Sequence, residues 1–314
     1  MIYRRFVKIN ENADIADITI NVIQVKGVFC SYNPVYLSCI GIKHISDMKI
    51  NQPIETNYTL SCPVNIALLT DFHNSDPEPV LESLQRRRPE IITVAGDLIL
   101  GDLPGKKGLK IDENRHAVEL LRGCAALAPT FVSLGNHEYM LSEADLKIVR
   151  STGATLLDNT HVSHQGMVIG GLSSAYCHVY RTFRQQHSGE GMYPPIPITE
   201  LKKRQIPQLG WLDEFEQQDG FRLLLCHHPD YYPLYLRERK IDLIFSGHCH
   251  GGQWRFYSPI HGETRGVFAP GQGFFPKLTS GVHDGKLVIS KGLCNTTFIP
   301  RINNPTEIVY ISNR

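Results

Sequence analysis

The chain of 314 residues lacks the features that would place it in several large classes of protein. No apolar run approaches the ~20 residues that a membrane-spanning helix needs, so no membrane span is expected. None of the eight cysteines stands in a C-x-x-C pair or in the paired spacings of a zinc finger, which argues against both a disulfide framework and a sulfur-ligated cluster. Scattered cysteines of this kind read as reduced, buried thiols and favour a cytoplasmic setting. Charge of one sign is also lacking: the formal net charge is +1. No stable nucleic-acid partner and no electrostatic hold on a membrane is therefore expected, although peripheral membrane association stays open. Arg4 and Arg5 resemble a twin-arginine export signal, but the stretch after them, Asn10 to Asp17, is polar and acidic where an apolar segment of ~7–15 residues is required. There is no internal repeat and no low-complexity tract.

What the chain does have is histidine, 14 in all, and many of these stand at the ends of apolar runs. Residues 1–60 read as a β-rich N-terminal extension packed on a main domain, with alternating stretches such as Ile18 to Val28; His44-Ile45-Ser46-Asp47 has the wrong spacing for a metal motif and reads as structural. From residue 61 to 314 a βα rhythm predicts the main domain. Strands are expected at 65–70, 90–95, 130–134, 154–157, 167–170, 221–226 and 241–245. Asp76-Pro77 can open a helix to about Arg88, a second helix is expected over 114–127, Ser142 with Asp145 can open a third, and a fourth is expected at 208–217. Residues 174–207, rich in Pro, Tyr, Arg and Gly, break the rhythm and read as a long insertion loop. Beyond Gly251 the chain is expected to form short β segments, among them 286–290 and 307–311.

Five apolar runs lead directly into potential metal ligands: IALLT into Asp71 and His73, IITVAG into Asp97, FVSLG into Asn136 and His137, RLLLC into His227 and His228, and LIFSG into His248 and His250. In α/β sheets, ligands gather outside the carboxyl ends of strands, so these groups should converge. Gly96, Gly135 and Gly247 precede ligand positions, where the lack of a Cβ allows a sharp exit from the strand. The Asp-x-His and His-x-His spacings put two side chains on one side of an extended segment. Taken singly, an Asp or Asn after a strand is a turn former and a lone His a structural residue. Together, so many carboxylate and imidazole groups at one rim call for a cation. Donors of imidazole, carboxylate and amide type suit Mn, Fe, Zn or Ni rather than Ca. Seven of them exceed the four of one tetrahedral site, so two ions are implied.

The ordered motifs D-x-H (Asp71 to His73), G-D (Gly96 to Asp97), G-N-H-E (Gly135 to Glu138), H-x-P (His227 to Pro229) and G-H-x-H (Gly247 to His250) resemble those of the calcineurin-like metallophosphoesterases over residues 61–314. His250-Gly251-Gly252-Gln253 and the tail from Gly292 to Glu307, with Pro300-Arg301-Ile302-Asn303-Asn304-Pro305, are similar to the bacterial YkuE/YaeI-type phosphodiesterase subfamily. Phe72, Asn74 and Cys249 depart from the commoner residues without removing a ligand.

The resemblance implies an α/β fold of the α+β kind, a four-layer αββα sandwich. It implies Asp71, His73 and His250 on one ion, Asn136, His227 and His248 on a second, and Asp97 on both, with manganese first among the metals. It implies His137 as the residue that meets the phosphate and protonates the leaving oxygen, Asp97 orienting a bridging hydroxide, Glu138 in a structural role, and Arg301 with Asn136 as further substrate contacts. The reaction implied is hydrolysis of a phosphodiester, ahead of a phosphomonoester or pyrophosphate, in a small phosphorylated or nucleotide-linked and even lipid-linked substrate. The alternatives are a non-catalytic interaction scaffold on the same fold and a zinc hydrolase of non-phosphate esters. The basic and aromatic residues of the insertion, among them Tyr176, Arg181, Tyr193 and Lys202 to Arg204, read either as a lid or as a solvated loop.

Overall fold

The computed structural model describes residues 52–101, 109–191, 193–194, 196–197, 199, 206–296 and 300–313. The strand expected at 18–28, the His44 sequence and the basic run Lys202 to Arg204 lie outside the described residues. Two six-stranded sheets face each other. The first has the order β1 (Ile54–Leu60), β16 (Glu307–Asn313), β2 (Ile66–Leu69), β3 (Ile91–Ala95), β4 (Thr130–Ser133), β5 (Thr155–Leu157). The second runs β14 (Gly281–His283), β15 (Leu287–Ile289), β9 (Leu243–Ser246), β8 (Phe221–Cys226), β7 (Met167–Leu172), β6 (Thr160–His164), and two small hairpins lie between β9 and β14: β10 (Arg255–Ser258) with β11 (Glu263–Gly266), and β12 (Phe268–Ala269) with β13 (Gly273–Phe274). Strands β2 to β5 are mutually parallel, as are β7, β8, β9 and β15, so the carboxyl ends of each set lie along one rim. β1, from the end of the expected N-terminal extension, is hydrogen-bonded into the first sheet as its edge, parallel to β16.

The four layers follow from strand alternation, because successive side chains point to opposite faces. In β2, Ile66 and Leu68 face the second sheet and pack with Leu223, Leu225, Phe245 and Val288, while Ala67 and Leu69 face outward. The outward face is covered by α1 (Glu78–Arg87), α2 (Arg115–Leu127) and α3 (Glu143–Arg150) through Leu84, Leu120, Leu121 and Leu146. On the far side of the second sheet, Leu224, Ile244 and Ile289 are covered by Leu212 and Phe215 of α5 (Leu212–Glu216) and by Tyr232 and Leu236. This is the αββα sandwich.

The helix starts follow the chemistry of their caps. Asp76 Oδ1 accepts from Glu78 N (3.1 Å) beside Pro77. Ser142 and Asp145 form a reciprocal capping box: Asp145 N donates to Ser142 Oγ (3.2 Å) and Ser142 N to Asp145 Oδ2 (2.7 Å).

One expectation is corrected. The stretch from 174, read as a loop, begins with a three-turn helix, α4 (Ala175–Gln186), capped by Ser174 accepting from Tyr176 N. Its Tyr and Arg residues hid it, because α4 packs beside the turn at His137–Met140 rather than on a sheet: Tyr180 meets Tyr139 edge-on at 5.2 Å, and Arg181 pairs with Asp158 at 2.6 Å. The helix expected at 208–217 is the shorter α5.

Candidate metal centre

Each expected ligand stands just past the carboxyl end of a parallel strand: Asp71 and His73 after β2, Asp97 after β3, Asn136 and His137 after β4, His227 after β8, His248 and His250 after β9. The two sheets therefore bring the set together from opposite sides. Three groups have their ligand atoms within 4.8 Å of one another: Asp71, His73 and His250; His73, Asp97 and His137; and Asp97, His227 and His248. Asp97 belongs to two of them, and so does His73. Asn136, beside these groups in sequence, has a buried Oδ1 with no hydrogen-bond partner. Arg301 lies behind His250: its Nη2 donates to Cys294 O and lies 3.1 Å from His250 Nδ1, while Nε and Nη1 are buried without partners.

The spacing pairs Asp-x-His and His-x-His converge, though not as extended chain. Asp71, His73, Asp97, His248 and His250 all have positive φ, between 46° and 67°. Left-handed backbone in residues with a Cβ costs roughly 1–3 kcal/mol each and persists only where the surroundings impose it. The three glycines are needed mainly for close approach. A Cβ on Gly135 would lie 2.2 Å from Asp97 Oδ1, one on Gly247 2.4 Å from Asp71 Oδ2, and one on Gly96 2.7 Å from the His227 ring. Only Gly96, at φ 81°, also needs the left-handed region.

Four histidines are held in the same way. Nδ1 of His73, His137, His227 and His250 lies against the carbonyl of Ile99 (3.1 Å), Leu100 (3.0 Å), Ala95 (2.8 Å) and Cys294 (3.1 Å). A carbonyl only accepts, so in His73 and His137 Nδ1 carries the proton and the Nε2 lone pair is turned inward, as in histidines that ligate metals. His227 turns its Nε2 onto Asp97 Oδ2 at 3.0 Å, and His250 Nδ1 also lies 3.1 Å from Arg301 Nη2, a donor. There the Nε2 atoms meet carboxylate oxygens: His250 to Asp71 at 3.5 Å, His73 to Asp97 at 3.8 Å, His137 to Asp97 at 3.9 Å. These separations exceed a hydrogen bond and suit neighbouring ligands around an ion with bonds of about 2.1 Å.

The electrostatics show the same demand. Burial pushes His73, His248 and His250 down to about 3. Burial also opposes charge on His227, but the carboxylates of Asp97, 3.0 Å away, and Asp71 outweigh it and lift it to about 10. A buried pair of carboxylates calls for positive charge, and a divalent cation supplies it while leaving every Nε2 lone pair free to coordinate. The residues fit a metal.

Glu138 is 2% exposed and accepts from the backbone N–H of Gly135 (2.7 Å), Asp97 (2.9 Å) and Ile99 (3.0 Å), which ties the loops after β3 and β4 together. Burial, then the nearby Asp97, raises its carboxyl. His137 N in turn donates to Asp97 Oδ1 (2.9 Å). His228 is turned away from the carboxylates onto Ser174 Oγ (2.8 Å). That contact had no signature in the sequence, and neither did the four backbone carbonyls that orient the histidines.

The sequence profile of the calcineurin-like phosphoesterases matches residues 40–252, and the chain belongs to that family, hydrolases of phosphoester bonds. Among its relatives, a metallophosphoesterase of Caenorhabditis elegans is 28% identical over 83% of this chain and 50% of its own. The metallophosphoesterase YkoQ of Bacillus subtilis is 24% identical over 79% of this chain and 82% of its own, and the phosphodiesterase YaeI of Escherichia coli 27% identical over 67% of each. The match thus spans half the length of the worm relative.

Proposed function

We propose that the protein is a dinuclear metal-dependent phosphodiesterase. The observation that supports this is the chain of three ligand groups, Asp71, His73 and His250 linked through His73 to Asp97, and Asp97 to His227 and His248, with ring orientations fixed by backbone carbonyls. Asp71, His73 and His250 would hold one ion, Asn136, His227 and His248 the other, and Asp97 both. Mixed oxygen and nitrogen donors without thiolate suit manganese, with iron, zinc or nickel as alternatives. When bound, two such ions supply an activated water and neutralise charge on the phosphoryl oxygens.

The rest falls to the chain's own residues. Asp97, held by His137 N, orients the attacking water. The His137 side chain is 30% exposed and its Nδ1 is engaged by Leu100 O, so Nε2 faces the substrate and, when protonated, passes its proton to the leaving oxygen. Asn136 and His137 contact the phosphoryl group. The unpartnered Nε and Nη1 of Arg301 suit an anionic group on the substrate.

A nucleotide-linked or other small phosphodiester is the favoured substrate. The lipid-linked version draws on exposed apolar side chains in the segment after His250: Tyr257, Ile260, Phe274 and Phe275 are each 65–90% exposed. A cytoplasmic setting, with peripheral membrane association as the variant, draws on the free thiols of the six described cysteines. Among the described residues no helix is long and apolar enough to cross a membrane.

The test is hydrolysis of bis-p-nitrophenyl phosphate and p-nitrophenyl phosphate by metal-stripped protein, with Mn, Fe, Zn, Ni or Mg added back singly. Metal-dependent turnover, faster on the diester, supports the reading. Two ions bound with no turnover under any metal would sink it in favour of the scaffold.

A further inference from the structure

His250 reaches the site through an improbable piece of backbone. His250, Gly251, Gly252 and Gln253 have φ of 46°, 65°, 77° and 55°, four positive values in succession, two of them in residues with a Cβ. Gln253, at ψ −65°, sits in a γ-turn closed by Trp254 N on Gly252 O (2.7 Å). Internal bonds close the turn: Gly252 N to Cys249 O (2.7 Å) and Gln253 N to His250 O (3.2 Å). From outside, Val267 N donates to Gly252 O (3.0 Å) and Arg255 Nη1 to Gly251 O (2.8 Å), while the two ends of the turn are held by the segment that leads into β16.

Asn304 is 2% exposed, and its Nδ2 donates to both ends of the turn, to His250 O (2.7 Å) and to Gln253 O (3.0 Å). Its Oδ1 fills the space a side chain at Gly251 would need, 2.1 Å from an ideal Cβ there. Neighbouring bonds lay the same segment along the turn: Trp254 Nε1 to Pro300 O (3.0 Å), Ile302 N to Gln253 O (3.2 Å) and Arg255 N to Ile302 O (2.9 Å). The segment then enters β16, hydrogen-bonded to β2 in the first sheet, whereas the His250 turn follows β9 in the second. It therefore crosses between the sheets where Asp71, after β2, and His250, after β9, must meet at 3.5 Å.

We propose that Asn304 is a positioning residue for the metal centre. Its amide holds the turn that presents His250, and through β16 it keys that turn to the sheet carrying Asp71 and His73. The inference rests on the dinuclear reading above. It predicts a selective effect, because the second group is held by other bonds: His227 by Ala95 O and the His248 backbone by the Asp71 carboxylate at 3.0 and 3.1 Å.

The test is calorimetric titration of the metal-stripped full chain with manganese, and with cobalt for its absorption spectrum, in the unaltered protein, Asn304→Ala, Asn304→Asp and His250→Ala. Aspartate keeps the shape of asparagine but loses both donors, so the two Asn304 variants should agree. One of the two binding events, the one missing in His250→Ala, is expected to weaken by about 10–100-fold, the range for groups that orient a ligand from behind. The other event should stay unchanged, and one cobalt band should shift. Unchanged affinities, or both falling together with the melting temperature, would overturn the proposal. An unaltered protein that binds fewer than two ions would sink the dinuclear reading and this inference with it. Two ions bound equally well by parent and variants would sink the inference alone. Should the Asn304 variants not fold, Trp254→Phe removes the indole N–H that donates to Pro300 O and leaves Asn304 in place; it is expected to weaken the same event by less, and parental affinities there would overturn the proposal equally.

Discussion

The interior between the two sheets and the rim at their carboxyl ends obey opposite rules. Between the sheets Ile66, Leu68, Leu225 and Phe245 are buried to within 1%, apolar, and on regular strands. At the rim, Asp71, His73, Asp97 and His227 are buried, the backbone of the first three is left-handed, and Thr70 Oγ1 and His73 Nε2 are buried without hydrogen-bond partners. The interior supplies free energy of folding. The rim draws on it to keep a strained, unsatisfied arrangement ready for cations, a division expected where stability and function compete.

Substitutions should separate the two regions. The largest effect on rate is expected at Asp97, whose carboxylate would bind both ions of the proposed centre: Asp97→Ala should lower kcat/KM by about 10⁴-fold or more. Its metal content should fall below two per chain, while the melting temperature of the stripped protein holds or rises. A fall in that temperature would break the comparison.

His137→Ala should lower kcat by about 10²–10⁴-fold, the range for a general acid, with both ions retained by elemental analysis. Loss of an ion would instead make His137 a ligand. Phe245→Ala tests the other region. It should cost about 3–5 kcal/mol in urea denaturation, leaving turnover per folded molecule and metal content unchanged. The smallest effect is expected at the capping box: Ser142→Ala should cost about 1 kcal/mol of stability and no activity. A measurable loss of turnover there would show that α3 is coupled to the rim.

Much of this was legible before any coordinates. Apolar runs ending in Asp, Asn or His marked strands and ligands together, because a strand buried on both faces is continuously apolar and a parallel set shares one ligand-binding edge. The cap residues Asp76, Ser142 and Asp145 marked helix starts for reasons local to the chain. The helix α4 carries an apolar stripe, Tyr176, Val179, Tyr180 and Phe183 at i, i+3, i+4 and i+7, which the Pro, Tyr, Arg and Gly content of the whole segment masked; its partners Tyr139 and Asp158 lie outside the segment. The reason for the glycines was half legible. Gly135 and Gly247 leave room for Asp97 and Asp71, which arrive from other strands.

By itself the sequence determined the family, the sandwich and the set of candidate ligands, since these depend on side-chain type, periodicity and spacing along one chain. Only the tertiary structure decided which carbonyls orient the histidine rings, that His228 turns to Ser174, and that Asn304 clasps the His250 turn. Those facts depend on contacts between residues far apart in sequence. Asn304 meets His250 across 54 positions, and His227 meets Ala95 across 132, where no local propensity reaches.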